Sequence, residues 1–173
     1  MLKLRELARD DIKQINKWRA SKELISCLGA PYRYINEDVD YNWFEAYMKN
    51  RNTSVRCIIC DSADEEKPLG LISLVNINNI NRSAELHIMI GNKENQGKGI
   101  GTFAVNAIVN HAFNDLNLRR IELGVLETNA RAISLYKKCG FTQEGIKRQS
   151  HYKDGKYVNM ILMAILKEDM DKR

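Results

Sequence analysis

The sequence predicts one α/β domain over residues 1–173, in which a mixed α+β sheet, mostly antiparallel, is flanked by about four helices. Three observations carry this. Short apolar or alternating runs at 2–8, 54–61, 69–77 and 83–90 read as strands that succeed one another through turns and loops. Runs with apolar residues at helical spacing, at 9–20, 37–50, 100–115 and 129–139, read as helices, and strand–helix units fall at the centre of the chain. The pair Asp154 and Gly155 joins two long arms and is the strongest short-range hairpin signal present. With 44% hydrophobic residues in 173, the chain can bury a full core without metals or disulfides.

Each element has its own justification. "LKLRELA" alternates apolar and polar residues, and Ile12, Ile15 and Trp18 then share one helical face. "SCLGAPYRYINE" is loop, broken by Gly29 and Pro31. Val39, Trp43 and Tyr47 recur at helical spacing in the second helix. "SVRCIICD" and "LGLISLVNI", joined by the polar turn "SADEEKP", form a hairpin with a loop longer than the tightest types, and "SAELHIMI" adds a third strand. Phe103, Ala107, Val109 and Phe113 build a strong amphipathic helix. "RRIELGVL" is a strand, and the helix "NARAISLYKKC" stops at Gly140, a residue suited to the left-handed turn just past a helix end. The second arm of the final hairpin is nearly all apolar.

Composition excludes several function classes. The net charge is +5, but the basic residues form no long block and nowhere interleave with aromatics, so a nucleic acid is not expected as partner. A phosphorylated small molecule, or merely a solvated surface, fits the charge as well. No stretch approaches the roughly 20 apolar residues of a membrane span, and the charged opening "MLKLRELARDD" lacks the features of a signal peptide. A cytoplasmic location and no membrane association are expected. The four cysteines suit a reducing compartment. Cys57 and Cys60 are spaced as C-x-x-C, yet on a strand residues three apart point to opposite faces, and the histidines at 87, 111 and 151 lack ligand spacing. Buried thiols and no metal are the expectation.

The stretch "IMIGNKENQGKGIGTFAVNAI", residues 88–108, asks for a ligand. Each glycine inside regular structure costs about 0.5–1 kcal/mol relative to alanine, so Gly97, Gly99 and Gly101 together imply close approach to the backbone. A strand end followed by a helix start offers unpaired N–H groups and a positive dipole, which suit phosphate, and Lys98 adds charge. The commoner phosphate loops do not match. G-x-x-x-x-G-K-[ST] is absent, and G-x-G-x-x-G fails at Ala104. A dinucleotide unit would also want an acidic strand end, whereas Glu122 lies inside a strand.

Residues 96–101, Q-G-K-G-I-G, match the Q/R-x-x-G-x-G/A signature of the GCN5-related N-acetyltransferases (GNAT). Residues 127–141, "ETNARAISLYKKCGF", resemble the same family's N-x-x-A-x-x-x-Y-x-x-x-G-F segment. Two motifs in the right order, each on the expected element, make the resemblance specific. It extends over nearly the whole chain and is strongest toward the ribosomal-protein and spermidine N-acetyltransferase branches, with some likeness to aminosugar-nucleotide acetyltransferases. It implies a GNAT-like acyl-CoA N-acyltransferase fold with a splayed parallel strand pair, acetyl-CoA as co-substrate, and acetyl transfer to a primary amine by direct attack in a ternary complex. The acceptor is then a small molecule such as a polyamine or aminosugar, or a protein N-terminus, and a homodimer is compatible. By the same resemblance Gln96, Gly97, Lys98, Gly99, Ile100, Gly101 and Thr102 line the diphosphate, Asn129 contacts the cofactor arm, and an amide near Met89 or Ile90, on a bulged strand, meets the carbonyl oxygen as it becomes an oxyanion.

The chemistry also needs an acid for the departing thiolate and a path for the amine's proton. Asn129 and Tyr136 lie two helical turns apart and so face the same side. Tyr136 is the candidate acid, with a phenol suited to a thiolate; a plain core residue is the alternative, and Asn129 is equally suited to an N-cap. Strand alternation puts Glu85, His87 and Met89 on one face and Leu86, Ile88 and Ile90 on the other. An inward carboxylate beside the cleft loses solvation, so Glu85 is the first candidate base, His87 the second, and bulk water the third.

Acceptor choice is expected from residues 26–50 and 151–157. Glu37, Asp38, Asp40 and Glu45 suit a polycation, or form a solvated helix face. Trp43 and Phe44 wall a pocket or pack in the core, while Arg33, Lys147 and Arg148 suit a nucleotide-sugar phosphate. A non-catalytic acyl-CoA-binding sensor is the alternative function. Such a sensor needs only the phosphate grip, so the presence of both Tyr136 and Glu85 favours an enzyme.

Overall fold

The strands are β1 (Leu2–Glu6), β2 (Val55–Asp61), β3 (Lys67–Asn78), β4 (Ser83–Ile90), β5 (Arg120–Leu126), β6 (Thr142–Lys153) and β7 (Lys156–Leu166). They form one sheet in the order β1-β2-β3-β4-β5-β7-β6, in a computed structural model that describes residues 1–64 and 66–170. Glu65 of the expected turn, and residues 171–173 of the expected domain, lie outside the described residues. The helices are α1 (Ile12–Arg19), α2 (Lys22–Ser26), α3 (Glu37–Lys49), α4 (Ile100–Asn114), α5 (Ala130–Lys138) and α6 (Lys167–Met170). The two beyond the expected number, α2 and α6, are too short to leave a periodic signal.

All neighbouring strands are antiparallel except β4 and β5, which the α4 crossover joins in parallel. In the final hairpin Asp154 and Gly155 both take positive φ, 47° and 86°, as a two-residue turn of the primed type requires. The apolar arm, β7, sits inside between β5 and β6, and the polar β6 takes the edge. Solvation of the two arms thus decides their order.

The sheet has a core on each face. One, under α4 and α5, holds Ile59, Ile72, Leu74, Leu86, Ile108, Phe113, Ile121 and Tyr136. The other, under α1 and α3, holds Ile12, Ile15, Trp18, Phe44, Tyr47, Ile58, Cys60 and Met89. Strand β2 alternates between them, so Cys57 packs on the α4 side and Cys60 on the α1–α3 side. The C-x-x-C spacing therefore brings no thiol pair together, and burial pushes the Cys57 thiol up to about 11.

Two helical faces are rotated from their expected positions. On α3 the buried residues are Asp40, Phe44 and Tyr47, while Val39 is 45% exposed. The cause is polar: Asn16 Nδ2 donates to Asp40 at 2.7 Å and Arg19 pairs with the same carboxylate, which draws Asp40 against α1. Trp43 packs at the border of the α1–α3 core and covers the Arg56 guanidinium, with 4.7 Å between the guanidinium carbon and the ring centre. On α4 the buried positions are Ile100, Gly101, Ala104, Val105, Ile108, Val109, Ala112 and Phe113, which leaves Phe103 and Ala107 at the border.

Candidate active site

Pairing between β4 and β5 is confined to Ser83 with Arg120, Ala84 with Ile121 and Glu85 with Glu122. Beyond those residues β4 stays paired to β3 out to Ile90, and β5 to β7 out to Leu126. Each strand follows its outer neighbour, and a V-shaped cleft opens between them. Gly91 N–H donates to Leu69 O at 2.9 Å, toward β3. Along the antiparallel ladder the amides of Met89 and His87 point the same way, so those of Ile88 and Ile90 face the cleft. Of the two expected carbonyl donors, the geometry favours Ile90 over Met89. The expected bulge is not found in β4: its register with β3 is regular from Glu85 to Ile90, and the irregularity lies in β3 between Val75 and Asn78.

The glycine run closes one end of the cleft. Gly97 and Gly99 have φ of 81° and 79°, and Gly99 is the N-cap of α4. A glycine cap has no side chain to satisfy the first amides, and the first cap-spanning bond is Phe103 N–H to Gly99 O, at 3.0 Å. The N–H groups before it are available to an anion at the positive end of a fifteen-residue helix. Ile100 and Gly101 are buried, Thr102 is half-buried and Lys98 is exposed. Gly91, where the strand hands over to this loop, carries the Trp18 ring so closely that a Cβ would stand 2.0 Å from it.

On α5, Asn129 is the N-cap: its Oδ1 accepts from Ala132 N–H at 3.1 Å, and its Nδ2 donates to Cys27 O at 3.0 Å. Both ends of the amide are therefore occupied by the chain itself. Tyr136 is 7% exposed within the α4–α5 core, its ring 5.8 Å from that of Phe141. Burial pushes its phenol well above the ordinary range, and the nearby Cys139 adds to this. The phenol thus stays protonated at any physiological pH, as an acid must.

Glu85 and His87 lie on the opposite face of the sheet from Tyr136. His87 Nε2 and Glu85 Oε1 are 2.9 Å apart, and Asn76 Nδ2 donates to Glu85 Oε2 at 3.2 Å, so both carboxylate oxygens are oriented. The expected burial is not found: the Glu85 side chain is 37% exposed and that of His87 58%. The packed core on this face reaches β4 only at Met89 and leaves the paired end of β4 and β5 open.

The two segments from which acceptor choice is expected touch one another, through residues that carry no sequence motif. Lys153, 9% exposed at the end of β6, donates to Ile25 O at 3.0 Å and to Ala30 O, closing the end of α2 and the loop after it. Burial lowers its pKa. Gly29 lies under Met160 and beside His151. Lys93, just before the glycine run, pairs with Glu23 of α2 at 2.8 Å. Of the acidic residues expected to attract a cation, Asp40 is buried on Arg19 and Glu45 pairs with Arg9, which leaves Glu37 and Asp38. A depression of about 530 Å³ beside them is lined by Ala20, Tyr32, Arg33, Tyr34, Ile35, Asn36 and Val39. Among the described residues no cluster of His, Cys, Asp and Glu could hold a metal ion.

The sequence profile of the acetyltransferase (GNAT) domain matches residues 1–142. The chain is 33% identical over 168 residues to the spermidine N(1)-acetyltransferase of Vibrio cholerae serotype O1, covering 95% of this chain and 92% of that protein. To the spermidine N(1)-acetyltransferase of Escherichia coli K12 it is 31% identical over 165 residues, covering 95% and 85%. The crystal structure of spermidine N-acetyltransferase from Vibrio cholerae in complex with CoA and spermine matches with a TM-score of 0.90 at 31% identity, over 97% of this chain and 96% of that one. A strand pair that parts beside an uncapped helix, with these likenesses along almost the whole length, leads to one assignment: the chain belongs to the GNAT family and is an acetyl-CoA-dependent N-acetyltransferase acting on a primary amine.

Proposed function

We propose that this chain, as one cytoplasmic domain over 1–173, moves the acetyl group of acetyl-CoA to a primary amine of a polyamine such as spermidine. One observation carries the mechanism. The acid and the base candidates lie on opposite faces of the sheet, and the parted strands β4 and β5 are the passage between them. The diphosphate rests on the amides of 96–102, and the thioester enters from the α4–α5 face. The amine approaches from the face of Glu85 and His87 and loses a proton to Glu85, directly or through water. Its nitrogen attacks the thioester carbon, and the carbonyl oxygen, now negative, accepts from the Ile90 amide. Collapse breaks the carbon–sulfur bond and the thiolate takes the Tyr136 proton, while the excess proton still on the acylated nitrogen leaves for solvent and Tyr136 regains one, which yields the neutral amide and free CoA.

Charge on the acceptor face supports a polycation. Glu122 stands in register with Glu85, and Glu122 and Glu144 share the single guanidinium of Arg120, so the edge carries excess negative charge. The likeness to spermidine acetyltransferases supports the same acceptor. Thiol release from acetyl-CoA, followed across spermidine, spermine, glucosamine and N-terminal peptides, tests the reading. Spermidine and spermine are expected to stimulate release most. If CoA binds while no amine stimulates release, the chain is instead a non-catalytic acyl-CoA sensor.

A further inference from the structure

We infer that Met160 on β7 sets a steric limit on the acceptor and restricts it to primary amines carried on an unbranched methylene. This rests on the reading that the amine approaches from the face of Glu85 and His87. Glu122 is the last residue of β5 on that face to pair with β4, and Gly124 is the next residue of the same face. On this face the mouth of the cleft therefore lies between His87 and Gly124. Met160 lies over Gly124: a Cβ added to the glycine would stand 2.9 Å from the thioether sulfur and 3.2 Å from Cγ. The methyl end of the same side chain reaches the loop after α2, where a Cβ added to Gly29 would stand 3.2 Å from it.

Neither glycine is required by its own backbone. Gly29 and Gly124 lack the positive φ of Gly97, Gly99, Gly140 and Gly155, and Gly124 interrupts a strand, where glycine weakens pairing and gives nothing to pack. What the two share is the Met160 side chain, to which each gives room. That side chain is 7% exposed and packs with Leu126 and Val158 in a small cluster apart from the two main cores. A side chain at position 124 would push the thioether toward the gap between β4 and β5, and a shorter residue at position 160 would extend the gap over Gly124. The room beside the reacting nitrogen is thus set by a pair, an absent Cβ on β5 and a long, flexible side chain on β7. A methyl branch on the carbon next to that nitrogen competes with Met160 for the same space, whereas a plain methylene does not.

Initial rates with spermine, and with a spermine methylated on the carbon next to each primary amine, test this in wild type, Met160→Ala, Met160→Leu, Gly124→Ala and the double alanine variant. The ratio of the two kcat/KM values does not depend on how much of a sample is folded, so a variant weakened by the cavity at position 160 still reports. Wild type is expected to prefer plain spermine by about tenfold or more. Met160→Ala should lower that preference to about twofold, and Met160→Leu, which fills a similar volume, should keep it. Gly124→Ala should raise KM for spermine about fivefold with KM for acetyl-CoA unchanged, and this loss should vanish beside Met160→Ala. Equal use of the two amines by wild type, a Met160→Ala ratio equal to that of wild type, or a Gly124→Ala loss that persists in the double variant overturns the inference. A wild-type chain that releases thiol with neither amine would instead overturn the acceptor reading beneath it.

Discussion

Gly101 on α4 faces Leu135 on α5 so closely that a Cβ added to the glycine would stand 2.5 Å from the leucine Cδ1. Gly97 and Gly99 differ: a Cβ there meets nothing within 4 Å, and their positive φ is what demands glycine. The run thus serves two purposes, an anion loop and a tight helix crossing. Gly101→Ala is expected to change stability by no more than about 1 kcal/mol, because the methyl it meets ends the flexible, half-buried Leu135 side chain and alanine gains helix propensity. Gly99→Ala should cost about 1 kcal/mol and mainly weaken CoA binding. Urea denaturation beside calorimetry separates the two effects.

Tyr136→Phe keeps the ring packed on Phe141 and removes only the proton. Turnover is expected to fall by about 10²–10³, with acetyl-CoA affinity unchanged. An equal loss of both would mark Tyr136 as a packing residue.

The same phenol makes stability pH-dependent. Its folded pKa is raised by burial, so its contribution is fully present below about pH 10, where an unfolded tyrosine ionises. Above that pH the unfolded state gives up the proton first, and stability falls as pH rises toward the folded pKa. Urea titrations at about pH 8 and pH 11 should find a smaller alkaline loss in Tyr136→Phe than in wild type.

Glu85→Gln preserves the contact with Asn76 and removes a proton acceptor. A loss of about 10²-fold in kcat/KM for spermidine is expected, and His87→Asn should cost less. Wild-type rates in Glu85→Gln would mean that His87 or bulk water takes the proton, and the His87→Asn variant in the same background separates the two.

Lys153→Met leaves the carbonyls of Ile25 and Ala30 without their donor. The expected cost is about 1–3 kcal/mol of stability. Because those carbonyls anchor the acceptor-side loop, KM for the amine should rise more than KM for acetyl-CoA, as initial-rate kinetics would reveal.

Legibility followed how local each determinant is. Ile12, Ile15 and Trp18 are all buried as their spacing predicts, because a helix face is set within three turns. Asp154 and Gly155 take the turn their residue types favour. Val39 misled because an apolar residue at helical spacing cannot reveal that Asp40 will find Arg19 and Asn16 on another helix. Glu85 was placed on the correct face, but its exposure depends on how far the packed core of that face extends. Arg131 stood inside a recognised motif with no sign that it meets Gln96, and Lys153 sat in the final hairpin with no motif at all.

By itself the sequence determined the elements, the glycine run and the pattern that carries the family, since these rest on backbone preferences and periodicities spanning a few residues. Tertiary structure alone decided that Tyr136 and Glu85 stand on opposite faces of a parted strand pair and that Ile90 turns its amide into the gap. Those facts depend on which strand each edge chooses for its hydrogen bonds, and that choice is made between segments far apart in the chain.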